Sequence, residues 1–304
     1  MSLKQPLIWT GRISLLLLLF IILFIIGSMA ISGMLLDIES EPGLVAGEFG
    51  FLIFAIINTL LIIGLILSSR WHGWQLALSL GFAYYGAVTF LTQIEAWYFI
   101  ANLTFDQKLL PRLFIMGLPI AFIYIPLAVL ILGKRKTKGK AMSTAALIIP
   151  AKQWAWKLSA IAIIYIILYW GAGYYIAWQN PDLRAFYGSP GDIVPFWEHT
   201  AKTFHTDPGL FPFQAIRAML WTLCAIPIIA GSKFKVWRTA ILVALFFTVP
   251  QISGLILENP LMPTASVRLS HMIEGIASNF VFGMIIVWLL HREHKSFKDL
   301  IGIN

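Results

Sequence analysis

One cysteine, Cys224, stands among 304 residues, and it lies inside an apolar run. A lone thiol excludes an intrachain disulfide and a thiolate metal cluster, and its setting marks it as a buried packing residue. Charge is scarce as well: Asp, Glu, Lys and Arg make up 12% of the chain, against roughly 25% in a soluble domain. So few charges cannot clothe a water-facing surface. No Walker loop, GxGxxG, GxSxG or CxxC pattern is present, which argues against a nucleotide-driven pump, a Rossmann reductase and the common serine hydrolases. There is no HExxH pair either, and His271 is the one histidine well inside an apolar run. Neither a metal nor another cofactor is therefore expected.

What the chain does contain is 59% hydrophobic residue, gathered in long runs. Eight of them reach membrane-spanning length, near residues 13–34, 49–67, 74–100, 113–132, 157–178, 210–230, 237–257 and 263–290. A span needs about 20 apolar residues, and only helices and closed barrels satisfy their backbone in lipid. The fold class expected is an all-α integral membrane protein with no separate soluble domain. The first run exceeds the apolar core of a signal peptide and is taken as a retained span. The stretch 142–156 is too short to cross and is placed at the interface. Within the longest loop, 179–208, DIVPFWEHTAKTFH reads as a surface helix with Asp192 as N-cap and an apolar side of Phe196, Trp197 and Phe204.

The formal net charge of +8 does not indicate nucleic acid, because the basic residues form short clusters between spans rather than one face. The N-terminus, SSRWHG, KRKTKGK, SKFKVWR and HREHKSFK are basic, whereas the alternate connections, beginning with Asp37, Glu39, Glu41 and Glu48, hold most of the acids. By the positive-inside rule both termini are cytoplasmic, in what the composition suggests is a bacterial inner membrane. The basic turns, with His72, His291 and His294, are expected to meet anionic lipid headgroups. Asn102-Leu103-Thr104 is formally a glycosylation sequon but carries little weight in such a chain.

Eight spans divide evenly into residues 1–140 and 141–304. An ungapped comparison sets Ser69 on Ser232, Trp74 on Trp237, Ala77 on Ala240 and Glu95 on Glu258. Four spans per half leave both halves pointing the same way, as in carriers built from parallel repeats.

The eighth run carries Arg268, His271, Glu274, Ser278 and Asn279. At about 100° per residue they share less than half of the helix circumference. Each ion facing lipid costs about 2.5–3.5 kcal/mol, so this stripe should face protein or water. Together with Glu95, Asn58, Gln214, Arg217 and Glu258 it is expected to line an outward-opening polar pocket, roofed by the loop bearing Glu198, His199 and His205. For Glu274 two roles stay open, a proton- or cation-exchanging carboxylate and an ion pair with Arg217 locking spans six and eight. His271 is assigned a relay or ligand-contact role or a structural one, Arg217 an internal partner for Glu258 or Glu274 or a planar fork for a substrate carboxylate or phosphate, Arg268 a snorkelling anchor, and Asn58 and Asn279 packing across helices or contact with a ligand. The expected activity is that of a carrier or sensor of a small ligand. An enzyme at the external leaflet, with His271 and Glu274 as acid and base, and a non-catalytic scaffold subunit are the alternatives.

Overall fold

The computed structural model describes residues 4–34, 39–99, 107–135 and 149–300. Asp37, the sequon, the run Lys136 to Lys140 and the 142–148 part of the expected interfacial stretch lie outside the described residues. Among the described residues eight helices are long and apolar enough to cross a membrane, which makes this a multi-pass membrane protein. They are α1 (Lys4–Ser28), α2 (Gly47–Ser68), α3 (Gly73–Tyr98), α4 (Leu109–Ile131), α5 (Ala151–Ala177), α8 (Leu210–Gly231), α9 (Val236–Ile256) and α10 (Ala265–Leu290). Between α5 and α8 lie the short α6 (Pro181–Phe186) and α7 (Phe196–Thr206), and α11 (Phe297–Leu300) follows α10.

Two expected boundaries shift. Helix α1 begins nine residues ahead of the apolar run expected at residue 13 and stops at Ser28, because backbone hydrogen bonding propagates through polar residues once a helix is nucleated. Helix α5 starts at Ala151 and absorbs the end of the stretch assigned to the interface. One cap position differs too: Asp192 lies ahead of the α7 N-cap, which is Pro195. Thr264 is the α10 N-cap but makes no side-chain cap bond, and the Glu41 carboxylate accepts the Ala265 N–H at 2.6 Å.

Burial sorts the spans into two shells. The hydrophobic windows of α2, α3, α8 and α9 are 56%, 44%, 56% and 50% buried, against 22%, 33%, 28% and 33% for α1, α4, α5 and α10. Within 4–135, α1 packs on α2 and α4, and α3 packs on α4. Within 149–300, α5 packs on α8 and α10, and α9 on α10. Across the centre, α2 meets α9 and α3 meets α8. The α9–α10 seam is the tightest: a Cβ on Gly283 would stand 2.6 Å from the Ala244 Cα, so only glycine admits this approach. Buried Cys224 packs beside Gly86 where α8 crosses α3.

At the basic end the turns interlock. Ser69 and Ser232 form an isolated antiparallel bridge. Arg70 N–H donates to Gly231 O at 2.7 Å and Lys233 N–H to Ser68 O at 2.9 Å. Each serine hydroxyl also accepts the amide two residues on, from Trp71 at 3.0 Å and Phe234 at 3.2 Å. The Arg70 guanidinium donates to Ser232 O, and Lys134 Nζ to Ser69 O. Several of the cations expected to meet lipid are thus spent on turn carbonyls.

The segment after α10 is strapped to α5. Gln153 donates to His294 O at 2.7 Å and accepts its N–H at 3.0 Å, while buried Lys157 donates to Arg292 O at 2.6 Å. His294 is 5% exposed, a correction to its expected contact with headgroups. Burial, followed by the charges of Lys157, Arg292 and His291, pushes its imidazole down to about 4. An unfolded chain takes this proton near pH 6.5. Stability present above about pH 6.5 is therefore lost as pH falls toward 4. Thermal melting of detergent-solubilised protein should decline across that window, and His294→Leu should flatten the decline; an unchanged slope in the variant would refute this assignment.

Candidate functional site

The acidic ends of α3, α5, α8 and α10 converge on one polar cluster. Helix α3 delivers Glu95 after a π-helical turn, Tyr85–Phe90, whose extra residue re-aims the final segment Leu91–Tyr98. Glu95 reaches across to α8, where Arg217 Nη1 donates to its Oε1 at 2.5 Å and Nη2 to its Oε2 at 2.6 Å. One turn earlier on α8, Gln214 Oε1 accepts a second bond from Nη1 at 2.9 Å. Arg217 is 4% exposed and its partner Glu95 31%. The cation is sequestered and the carboxylate keeps a wet side.

Helix α10 contributes a second group. His271 and Glu274, one turn apart, meet through Nδ1 and Oε2 at 2.9 Å, with side-chain exposures of 20% and 15%. Glu274 Oε1 lies against Gly173, where α5 ends in another π-turn, Gly173–Ala177. On the far side of the imidazole, Tyr187 Oη is 3.1 Å from Nε2. Burial, then the negative charges of Glu95 and Glu274, hold the Tyr187 phenol well above its usual range, so it keeps its proton. With Glu274 as a carboxylate and the imidazole neutral, Nδ1–H donates to Glu274 and Nε2 accepts from the phenol. The result is a continuous chain from hydroxyl through imidazole to carboxylate.

The segment carrying Tyr187 is pinned to α10. Ser266 Oγ donates to Asp182 at 2.5 Å and Asn180 Nδ2 to Ser270 Oγ at 2.9 Å. Arg184 fixes the loop internally through the carbonyls of Gly191, Trp178 and Gln179. Residues 180–191 therefore cover the cluster. Glu198 and His205 are exposed instead, and the His199 ring stacks on Trp170 with centroids 5.0 Å apart and planes 7° from parallel. Of the apolar side expected on α7, Phe196 stacks on Tyr175, Phe204 stacks on Phe211, and Trp197 is exposed.

The two groups share one electrostatic environment, since the charges of Glu95, Arg217 and Glu274 all act on the hydroxyls of Tyr165 and Tyr169 from α5. Five expected residues thus come together: Glu95, Gln214, Arg217, His271 and Glu274. The expected Arg217–Glu274 pairing is replaced by Arg217–Glu95 and His271–Glu274. Glu258 is exposed and accepts from Ser40 at 2.6 Å, outside this cluster. Asn58 is buried and bonds Phe54 O at 2.9 Å and Ser253 Oγ at 2.8 Å, a helix-packing role. Asn279 lies half-buried, more than a turn deeper along α10 than Glu274.

Arg268 departs furthest from expectation. It is wholly buried, its Nη1 donating to Met262 O and Pro263 O at 2.8 Å each, and its Nη2 to Glu41 O at 3.0 Å and Pro42 O at 2.5 Å. It clamps two loops and does not reach for headgroups. Sequence reasoning missed Tyr165, Tyr169 and Tyr187, which carry no helical stripe or motif to mark them. Comparison with protein-family models, curated proteins and solved structures finds no match for this chain.

Proposed function

We propose that the chain is a proton-coupled carrier of a small ligand, built as parallel halves 1–140 and 141–304 and open to the non-cytoplasmic side through its acidic end. The observation that carries this reading is the bidentate Glu95–Arg217 pair, which joins the halves beside the Tyr187–His271–Glu274 chain. Arginine does not lose its proton in a protein, so the pair opens only when Glu95 is protonated or another anion replaces it. A hydrogen-bonded route ending at Glu274 supplies a proton acceptor next to that lock. Glu274 is faced by His271 on its own helix, Gly173 and Tyr169 from α5, and the charges of Glu95 and Arg217 from α3 and α8.

Duplication is supported by the reciprocal Ser69–Ser232 bridge, in which the two cross-turn amide bonds and the two serine-hydroxyl bonds have counterparts at the same sequence offset. The matched packing of the two sets of four spans agrees. In that register Phe54 corresponds to Arg217 and Phe51 to Gln214, so the polar machinery belongs to one side only. The basic end, including Arg238 stacked on Trp237 at 5.0 Å, we place at the cytoplasmic face of an inner membrane against anionic lipid.

A second reading, an enzyme at the external leaflet, draws on the same His271–Glu274 contact as an acid–base pair. Proteoliposomes loaded with a pH-sensitive dye and offered pooled small acids, amino acids, sugars and amines separate the two. The carrier should acidify the lumen with one pool, and Glu274→Gln and His271→Phe should slow this at least about tenfold. Proton movement indifferent to both variants would sink the carrier; a mass change in the liposome lipids without luminal acidification would select the enzyme.

A further inference from the structure

A guanidinium can receive a carboxylate on either of two edges, the Nη1/Nη2 end or the Nε/Nη2 side. Glu95 fills the end. On the side edge, Arg217 Nε–H has no acceptor among the described residues, and neither does Gln214 Nε2 one turn away. Both side chains are deeply buried, 4% and 0% exposed. A buried donor without an acceptor forfeits its hydration for nothing, and native proteins hold few of them. Two such donors, one of them on the cation at the centre of the cluster, leave a place for acceptor oxygens that the chain does not itself supply.

We propose that this site binds a small carboxylate, held by the Nε/Nη2 edge of Arg217 and the Gln214 amide. The proposal rests on the carrier reading and names its substrate class. Charge limits the ligand: Glu95 and Glu274 already place two carboxylates around one arginine, so a single added negative charge fits better than the dianionic charge of a phosphate ester. The Phe213 ring, 5.9 Å from the guanidinium carbon, sets an apolar face beside the cation, which suits a short organic body. Glu95 stays on the other edge and opposes the ligand through like charge.

Binding of monocarboxylates, with and without an α-amino group, and of their uncharged primary amides can be measured by thermal shift and tryptophan fluorescence on the purified full chain. At least one carboxylate should bind where its amide does not. Glu95→Gln keeps an acceptor for Arg217 while removing the opposing charge, and should tighten that carboxylate at least about tenfold, with a larger ligand-induced rise in Tm than wild type. Arg217→Lys keeps the cation facing Glu95 but lacks the second edge, and should weaken binding at least about tenfold. No carboxylate binding to wild type or Glu95→Gln overturns the proposal, as does equal binding of the amides or undiminished binding to Arg217→Lys. Should Glu95→Gln not fold without ligand, the wild-type and Arg217→Lys titrations decide it. Luminal acidification driven by a neutral solute alone would overturn the carboxylate while sparing the carrier; carboxylate binding with no proton movement would do the reverse.

Discussion

Replacing Glu95 by alanine is expected to destabilise the protein by about 3–5 kcal/mol, because it strands a buried cation. Replacing its partner should hurt less. Arg217 is 4% exposed and keeps its charge whatever surrounds it, whereas Glu95 is 31% exposed and can hydrate or take a proton. Arg217→Met should therefore cost roughly 1–3 kcal/mol, and combining it with Glu95→Ala should recover much of what the single alanine variant lost. Thermal or denaturant unfolding of the four proteins closes the double-mutant cycle. Equal losses in the two single variants that simply add in the double would mean that the residues act independently, against the pairing described.

Arg268→Met is expected to produce the second large loss, about 3 kcal/mol. One guanidinium serves four backbone carbonyls, from Met262 and Pro263 ahead of α10 and from Glu41 and Pro42 ahead of α2. Hydrogen bonds to a charged donor are worth about 1.5–3 kcal/mol each when taken singly. Their sum is not realised, since exposed Glu41 and its surroundings let the freed carbonyls find water. Lysine should restore only part of the loss, having one nitrogen where two are needed to reach both loops. Limited proteolysis should follow the same order, cleaving the 39–46 and 257–264 connections fastest in Arg268→Met and slowest in wild type. Cleavage at wild-type rates in the methionine variant would show that the loops do not depend on the clamp.

The span count was legible because hydropathy needs only local composition: every expected apolar run overlaps one of the eight helices. The stripe on α10 was legible for a similar reason, since helical periodicity places His271 and Glu274 one turn apart before any neighbour is known. Partner choice was not. Which helix faces which depends on bundle order, and nothing in the α3 or α8 periodicity says that Glu95 meets Arg217 and not that Glu274 does. The π-turn in α3 adds to this, because it rotates Glu95 away from the face an uninterrupted helix would give it. Arg268 was misread on equally physical grounds. An arginine in the first turn of a span usually snorkels, and only the fold reveals that loop carbonyls occupy the place where headgroups would be. Tyr187 sits in a connection whose conformation is set by Arg184 and by two serines of α10. A sequence window around the tyrosine contains no trace of that arrangement.

The Ser69–Ser232 bridge also bears on how the chain is made. A ribosome delivers α2 and α3 to the bilayer long before α8 exists, so the Arg70 amide and Ser68 carbonyl must first be met by water. Only when the turn at Gly231 to Lys233 emerges can both edges close at once. Biogenesis of this protein thus has a late zippering step, for which its earliest spans wait half-finished until their counterparts arrive.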